Sequence, residues 1–181
     1  MSETRSLVRT LFGRALGLLV LSAAGGTATE MSAAAEASKE GAPKVLEAPL
    51  LRPSGGVERL SAHRGQRLLL DLWATWCLPC REQSEIVHGM AAELKEFEVK
   101  VLAVNVGQGP RLVLDFLSRT PSPHTVLLDR GQRIPRQLGI QGLPALVLVH
   151  ENGAVAGVRT GLVEREALKA WLGEAFGEAS G

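Results

Sequence analysis

Cys77 and Cys80 are the only two cysteines of the chain, and they stand three positions apart in the run Trp73-Ala-Thr-Trp-Cys-Leu-Pro-Cys80. Two thiols at this spacing suit a structural bridge, half of a metal site, or a redox couple. A bridge across so short a loop removes almost no freedom from the unfolded chain and stabilises little. Structural zinc takes four ligands, and one such pair supplies two. His63, His88, His124 and His150 are scattered and form no spaced pair. No metal centre is expected, no cofactor beyond the dithiol itself, and no role for the histidines. A redox couple remains.

A Cys-x-x-Cys where a buried strand runs into a helix has a physical logic. The first turn of a helix presents unpaired N–H groups and a partial positive charge, which favour a thiolate and lower its pKa. Cys77 is expected at that exposed end as the nucleophile. Cys80, one turn on and more buried, is expected to resolve the mixed disulfide. Pro79 suits a first-turn position, where no N–H is required. Asp71, six residues before Cys77 in an apolar run, has two readings. It faces solvent or a sheet edge, or it is a desolvated acid with a raised pKa that shuttles the proton of Cys80.

The elements that position these residues show in the apolar pattern. Residues 68–73, LLLDLW, predict a central strand covered on both faces. Ile86, Val87, Met90, Leu94 and Phe97 recur at helical spacing and predict a helix beginning close to the cysteines. Residues 99–107 predict a second buried strand, and Pro110 opens a short helix through RLVLDFLSR. HTVLLD reads as a strand and RIPRQLGI as a brief helical turn. ALVLVH and AVAGVR flank Glu151-Asn152-Gly153, a hairpin cue. EREALKAWLGEAF is an amphipathic helix with Leu168, Trp171, Leu172 and Phe176 on one side. Upstream, two short strands are expected around Ser54-Gly55-Gly56. The class is α/β, a mixed central sheet flanked by helices, with an N-terminal strand extension.

At 181 residues, 45% hydrophobic and 22% charged, the chain is globular and long enough to bury a core without staples. Twenty Lys and Arg against nineteen Asp and Glu leave a net charge of +1. No field of one sign gathers nucleic acid or an anionic membrane, so neither is expected as a bulk partner. Residues 1–26 read as a secretory signal peptide or signal anchor. Arg5, Arg9 and Arg14 precede the apolar run ALGLLVLSAA, and small residues follow it. A buried helix of the domain is the other reading. The run is shorter than the ~20 apolar residues of a spanning helix, so anchoring requires Leu11 and Phe12 to extend it. No cysteine follows for lipid attachment, and no adjacent arginine pair marks a twin-arginine signal. Residues 27–44 read as a flexible linker and residues 45–178 as the domain. A periplasmic or other extracytoplasmic location is expected, secreted or anchored by the N-terminal segment.

DLWATWCLPCR resembles the thioredoxin superfamily, and its WATWC-x-P-C form is most similar to the exported TlpA-like, ResA-type thiol:disulfide oxidoreductases. The similarity spans about residues 48–176. GIQGLPALVLVHENGAV matches that family's loop–strand–turn stretch. The resemblance implies a thioredoxin-like fold and a cis-proline at Pro144, in a loop facing the cysteines. It also implies that the main chain of Leu143 pairs with substrate, with Trp76 at the same substrate-binding surface. Asp71 matches the buried acid of cytosolic thioredoxins. Two departures stand out: Gln83 occupies the family's Glu position and Glu85 its Pro position. The role of that Glu is not carried over, and the helix is expected without a proline kink. Pro144-Ala145-Leu146 also departs from the Pro-Glu-Thr of relatives dedicated to cytochrome c maturation.

The expected activity is thiol:disulfide exchange, reducing disulfides of extracytoplasmic proteins, with a membrane electron donor or redox partner recharging the couple. The Leu-Pro between the cysteines resembles the Gly-Pro of reducing thioredoxins more than the Pro-His of strong oxidants. Oxidase or isomerase action and a cytochrome c maturation role are the alternatives, since reduction potential sets the direction. A thioredoxin-fold binding or chaperone protein is a further one. A peroxiredoxin-type peroxidase is disfavoured, because the sequence holds no separate peroxidatic cysteine.

Overall fold

The computed structural model describes residues 47–177. The expected signal segment and linker lie outside these residues, as do positions 45, 46 and 178 of the expected domain. No described helix is long and apolar enough to cross a membrane.

Seven strands form one sheet in the order β2-β1-β5-β4-β3-β6-β7. β3 (Arg67–Trp73), β4 (Val99–Val106) and β5 (Thr125–Asp129) are parallel at its centre. β6 (Ala145–Val149) runs antiparallel to β3, and β7 (Val155–Thr160) antiparallel to β6. The expected extension is a hairpin of β1 (Pro49–Leu51) and β2 (Val57–Arg59), docked on β5 through Leu51 opposite Leu128. Its turn uses Gly55 and Gly56 at φ +108° and +90°, angles only glycine adopts without strain.

The central strands are apolar throughout because both faces are covered. On one face Leu68, Leu70, Leu72, Leu102, Val104, Val147 and Val149 pack with Leu50, Leu60 and Ile134, the last from α4 (Arg133–Leu138). On the other, Leu69, Val101, Leu146 and Leu148 meet α1 (Leu78–Gly89), α2 (Ala91–Glu96) and α5 (Arg165–Phe176). Leu168, Trp171 and Leu172 are the buried stripe of α5, as its periodicity predicts. α3 (Pro110–Arg119) lies at the C-terminal end of the strands, where Val113 and Phe116 join Trp73 and Leu128.

The apolar stripe that predicts one helix after the cysteines is divided between two. α1 ends at Gly89, and Met90, fully buried at φ −100° and ψ 22°, starts α2. Arg165 caps the break: its guanidinium donates to the carbonyl of Gly89 at 2.8 Å and also bonds Glu93 on α2. It thereby satisfies a carbonyl that the helix end leaves free. No proline is involved.

Candidate active site

β3 delivers Trp73 and Ala74 to the C-terminal edge of the parallel strands, and the chain turns there into α1. Cys77 is the N-cap residue, with extended backbone at φ −84° and ψ 100°, and its N–H bonds the carbonyl of Ala74 at 3.1 Å. Pro79 lies in the first turn of α1. Cys77 and Cys80 form a disulfide with Cα atoms 5.3 Å apart. The strand-to-helix junction therefore sets both sulfurs at the positive end of α1.

One expectation is corrected here. Cys77 is not exposed: 3% of its surface is open, against 2% for Cys80. Its sulfur is closed on Cys80, and both pack with Trp73, Ala74, Val113 and Leu128, with Leu143 against the same cluster. What is exposed is the frame around them, Trp76 and Leu78, each 72% open. Trp76 and Leu143 line one groove of about 250 Å³ with Gln108, Gln132 and Ile140. The peptide bond between Leu143 and Pro144 is cis. The structure thus gathers Trp76, Leu143 and the cysteines at one place, although Leu143 lies 66 positions after Cys77.

Asp71 is 2% exposed, which rules out the solvent-facing alternative. It lies on the face of β3 covered by α1, two residues before Trp73. Oδ2 accepts a 3.0 Å hydrogen bond from the hydroxyl of Ser84, while Oδ1 is buried with no partner. Asp129 is buried to the same degree, yet its two oxygens accept from the backbone N–H groups of Arg133 and Ile134 and so start α4. One buried acid is thus fully used by the fold, and the other is left half-bonded against α1, the helix that carries Cys80. Burial pushes the Asp71 carboxyl up to about 6, and the Ser84 hydrogen bond opposes that rise only in part.

This carries a prediction for the oxidised protein. An acid whose folded pKa lies above its unfolded value holds its proton in the native state after the unfolded chain has lost it. Native stability therefore falls as pH rises from about 4 to about 6, by about 3 kcal/mol for a shift of this size. Denaturant titrations across that range are expected to show this slope in the wild type and to lose it in Asp71→Asn. An unchanged slope in the variant refutes the assignment.

Residues without an earlier assignment complete the site. The amide oxygen of Gln108 accepts from the N–H of Thr75 and from Asn105 Nδ2, both at 2.8 Å, and its Nε2 donates to the Thr75 hydroxyl. This ties the active-site turn to the end of β4. Gln83, at the family's Glu position, is fully buried and pairs with both main-chain groups of Val163. Arg81 is exposed on α1, with its guanidinium 5.4 Å from the centre of the Phe116 ring on α3. Ser84 stands four residues after Cys80, hence on the same face of α1. That spacing was the available signal for it; nothing local marks Gln108.

A vicinal dithiol at a helix N-terminus, above a buried acid and beside a cis-proline loop, defines a thiol:disulfide oxidoreductase of thioredoxin-like fold. The Redoxin family matches residues 24–170. Thiol-disulfide oxidoreductase ResA of Geobacillus thermodenitrificans is 31% identical over 65% of this chain and 68% of its own. ResA of Bacillus subtilis is 29% identical over 69% and 72%. The crystal structure of a putative thiol:disulfide interchange protein DsbE from Chlorobium tepidum is 32% identical and covers 75% of this chain and 97% of its own, with a TM-score of 0.66. The chain belongs to the Redoxin family and, within the thioredoxin superfamily, to its TlpA/ResA-type members. It is a thiol:disulfide oxidoreductase.

Proposed function

We propose that the protein works as a reductant of disulfides in extracytoplasmic proteins. Cys77 attacks as the thiolate, Cys80 resolves, and Asp71 is the base of Cys80; no cofactor besides the disulfide takes part. Trp76, the main chain of Leu143 and Pro144 receive the substrate segment. In support of that surface, Trp76 is exposed, and Leu143 makes no backbone hydrogen bond among the described residues. A membrane-bound electron donor reloads the couple. The basic, apolar and small-residue pattern of residues 1–26 supports export.

The observation that carries the direction is the half-bonded carboxyl of Asp71 on the Cys80 side. A carboxylate near a thiol disfavours its thiolate. Oxidants of this chemistry are strong because their reduced form is stabilised, so a buried acid here works the opposite way. It also takes the Cys80 proton as the internal disulfide closes, the step that commits electrons to substrate. Equilibration with glutathione or a dithiol buffer is expected to give a reduction potential near about −270 mV, and a value near about −120 mV assigns the protein to oxidation instead.

A further inference from the structure

A groove of about 320 Å³ opens between α1 and α3, lined by Trp73, Cys80, Ser84, His88 and Phe116 among others. It reaches Cys80, whereas Trp76 and Leu143 line a separate groove. Ser84 is half-buried in its wall and bonds Asp71. Asp71 itself is absent from the lining. The hydroxyl of Ser84 is thus the one described hydrogen-bonding group that touches both the buried carboxyl and a space open to solvent.

We propose that Ser84 is the positioning residue of Asp71, and that the α1–α3 groove is the route by which the Cys80 proton leaves the protein. The proposal rests on Asp71 being the base of Cys80. The Cys77 thiolate attacks one substrate sulfur, forming a mixed disulfide as the substrate S–S bond breaks and releases a thiolate. The thiol of Cys80 then gives its proton to Asp71 and attacks the Cys77 sulfur. The Cys77–Cys80 bond forms, the mixed bond breaks, and the second substrate sulfur leaves as a thiolate. Two electrons have passed from the couple to the substrate. Protonated Asp71 passes its proton to the Ser84 oxygen while Ser84 releases its own into the groove, and rotation of the hydroxyl restores the original bond.

The surroundings leave this role to Ser84. β4 and β6 set Ala103 and Leu146 beside Asp71 in the sheet. α1 contributes Arg81, Glu85 and His88 to the groove, and the segment after α3 contributes Thr120, Pro121 and Ser122. His124, before β5, faces His88 with ring centres 4.8 Å apart. None of these groups bonds to Asp71. Burial also holds both imidazoles below their usual range, His124 further disfavoured by His88.

The test uses the full chain in its oxidised form, where neither thiol titrates, with 13C-labelled aspartate followed by NMR. Ser84→Ala removes a hydrogen bond that favours the carboxylate, so the Asp71 inflection is expected to rise by about one pH unit. Ser84→Thr, which keeps the hydroxyl, restores it. In single-turnover reduction of insulin, Ser84→Ala is expected to slow closure of the internal disulfide several-fold near pH 6 and hardly at all above pH 8. An inflection and closure rate that do not move in Ser84→Ala, with both altered in Asp71→Asn, overturn the role of Ser84 and leave that of Asp71 standing. Closure unaffected by Asp71→Asn removes both.

Discussion

Replacing Cys77 by serine is expected to reduce insulin-disulfide reduction to the uncatalysed rate. A serine hydroxyl stays protonated at neutral pH, whereas a thiol at a helix N-terminus ionises. Cys77 holds that position as the N-cap of α1, and Cys80 is the only other thiol of the chain. Cys80 lies inside the first turn of α1 rather than at its N-cap, so it does not take over the attack. Cys80→Ser has a different signature. The first attack proceeds and the mixed disulfide persists, because nothing displaces it; non-reducing electrophoresis then shows the protein covalently joined to substrate. Adducts through Cys80 in the Cys77→Ser protein reverse the roles. A cellular function that survives loss of both thiols marks the protein as a binding module.

The second large effect falls on stability. Gln83→Leu keeps the side-chain volume and removes two hydrogen bonds, from Val163 N–H at 2.7 Å and to Val163 C=O at 3.2 Å. Both groups are buried, and each orphaned one costs about 1–3 kcal/mol. A loss of ~4 kcal/mol is expected, a large part of the 5–15 kcal/mol typical of a domain. Thermal unfolding is expected to come roughly 10–20 °C lower. Gln83→Glu separates hydrogen bonding from packing. Its carboxylate accepts from Val163 N–H but donates to nothing, so this variant is unstable at neutral pH and recovers in acid as the carboxyl gains a proton. A melting temperature of Gln83→Leu within a few degrees of wild type shows that the pairing contributes little.

Much of the architecture was legible because the signals are local. LLLDLW read as a strand covered on both faces from apolar continuity alone, and ALVLVH as one arm of a hairpin; they are β3 and β6. Asn152-Gly153 announced the β6–β7 turn, where Gly153 takes φ +86°. The helix after the cysteines was legible in its apolar stripe but not in its length. Its end is capped by Arg165, distant in the chain, and spacing carries no such contact. The burial of Cys77 is not legible for a similar reason: it clusters with Val113 of α3 and Leu143 of the loop before β6, and neither is near in sequence.

Residue identity and spacing alone determined the chemistry: two thiols one helical turn apart at a strand–helix junction, with one acid upstream in an apolar run. Only the tertiary structure decided which state that acid holds. Desolvation and hydrogen bonding depend on what the folded sheet and helices bring within a few ångströms. Asp71 and Asp129 are the same residue type in similar apolar strands. One meets two backbone N–H groups and the other a single hydroxyl, and that difference arises from packing.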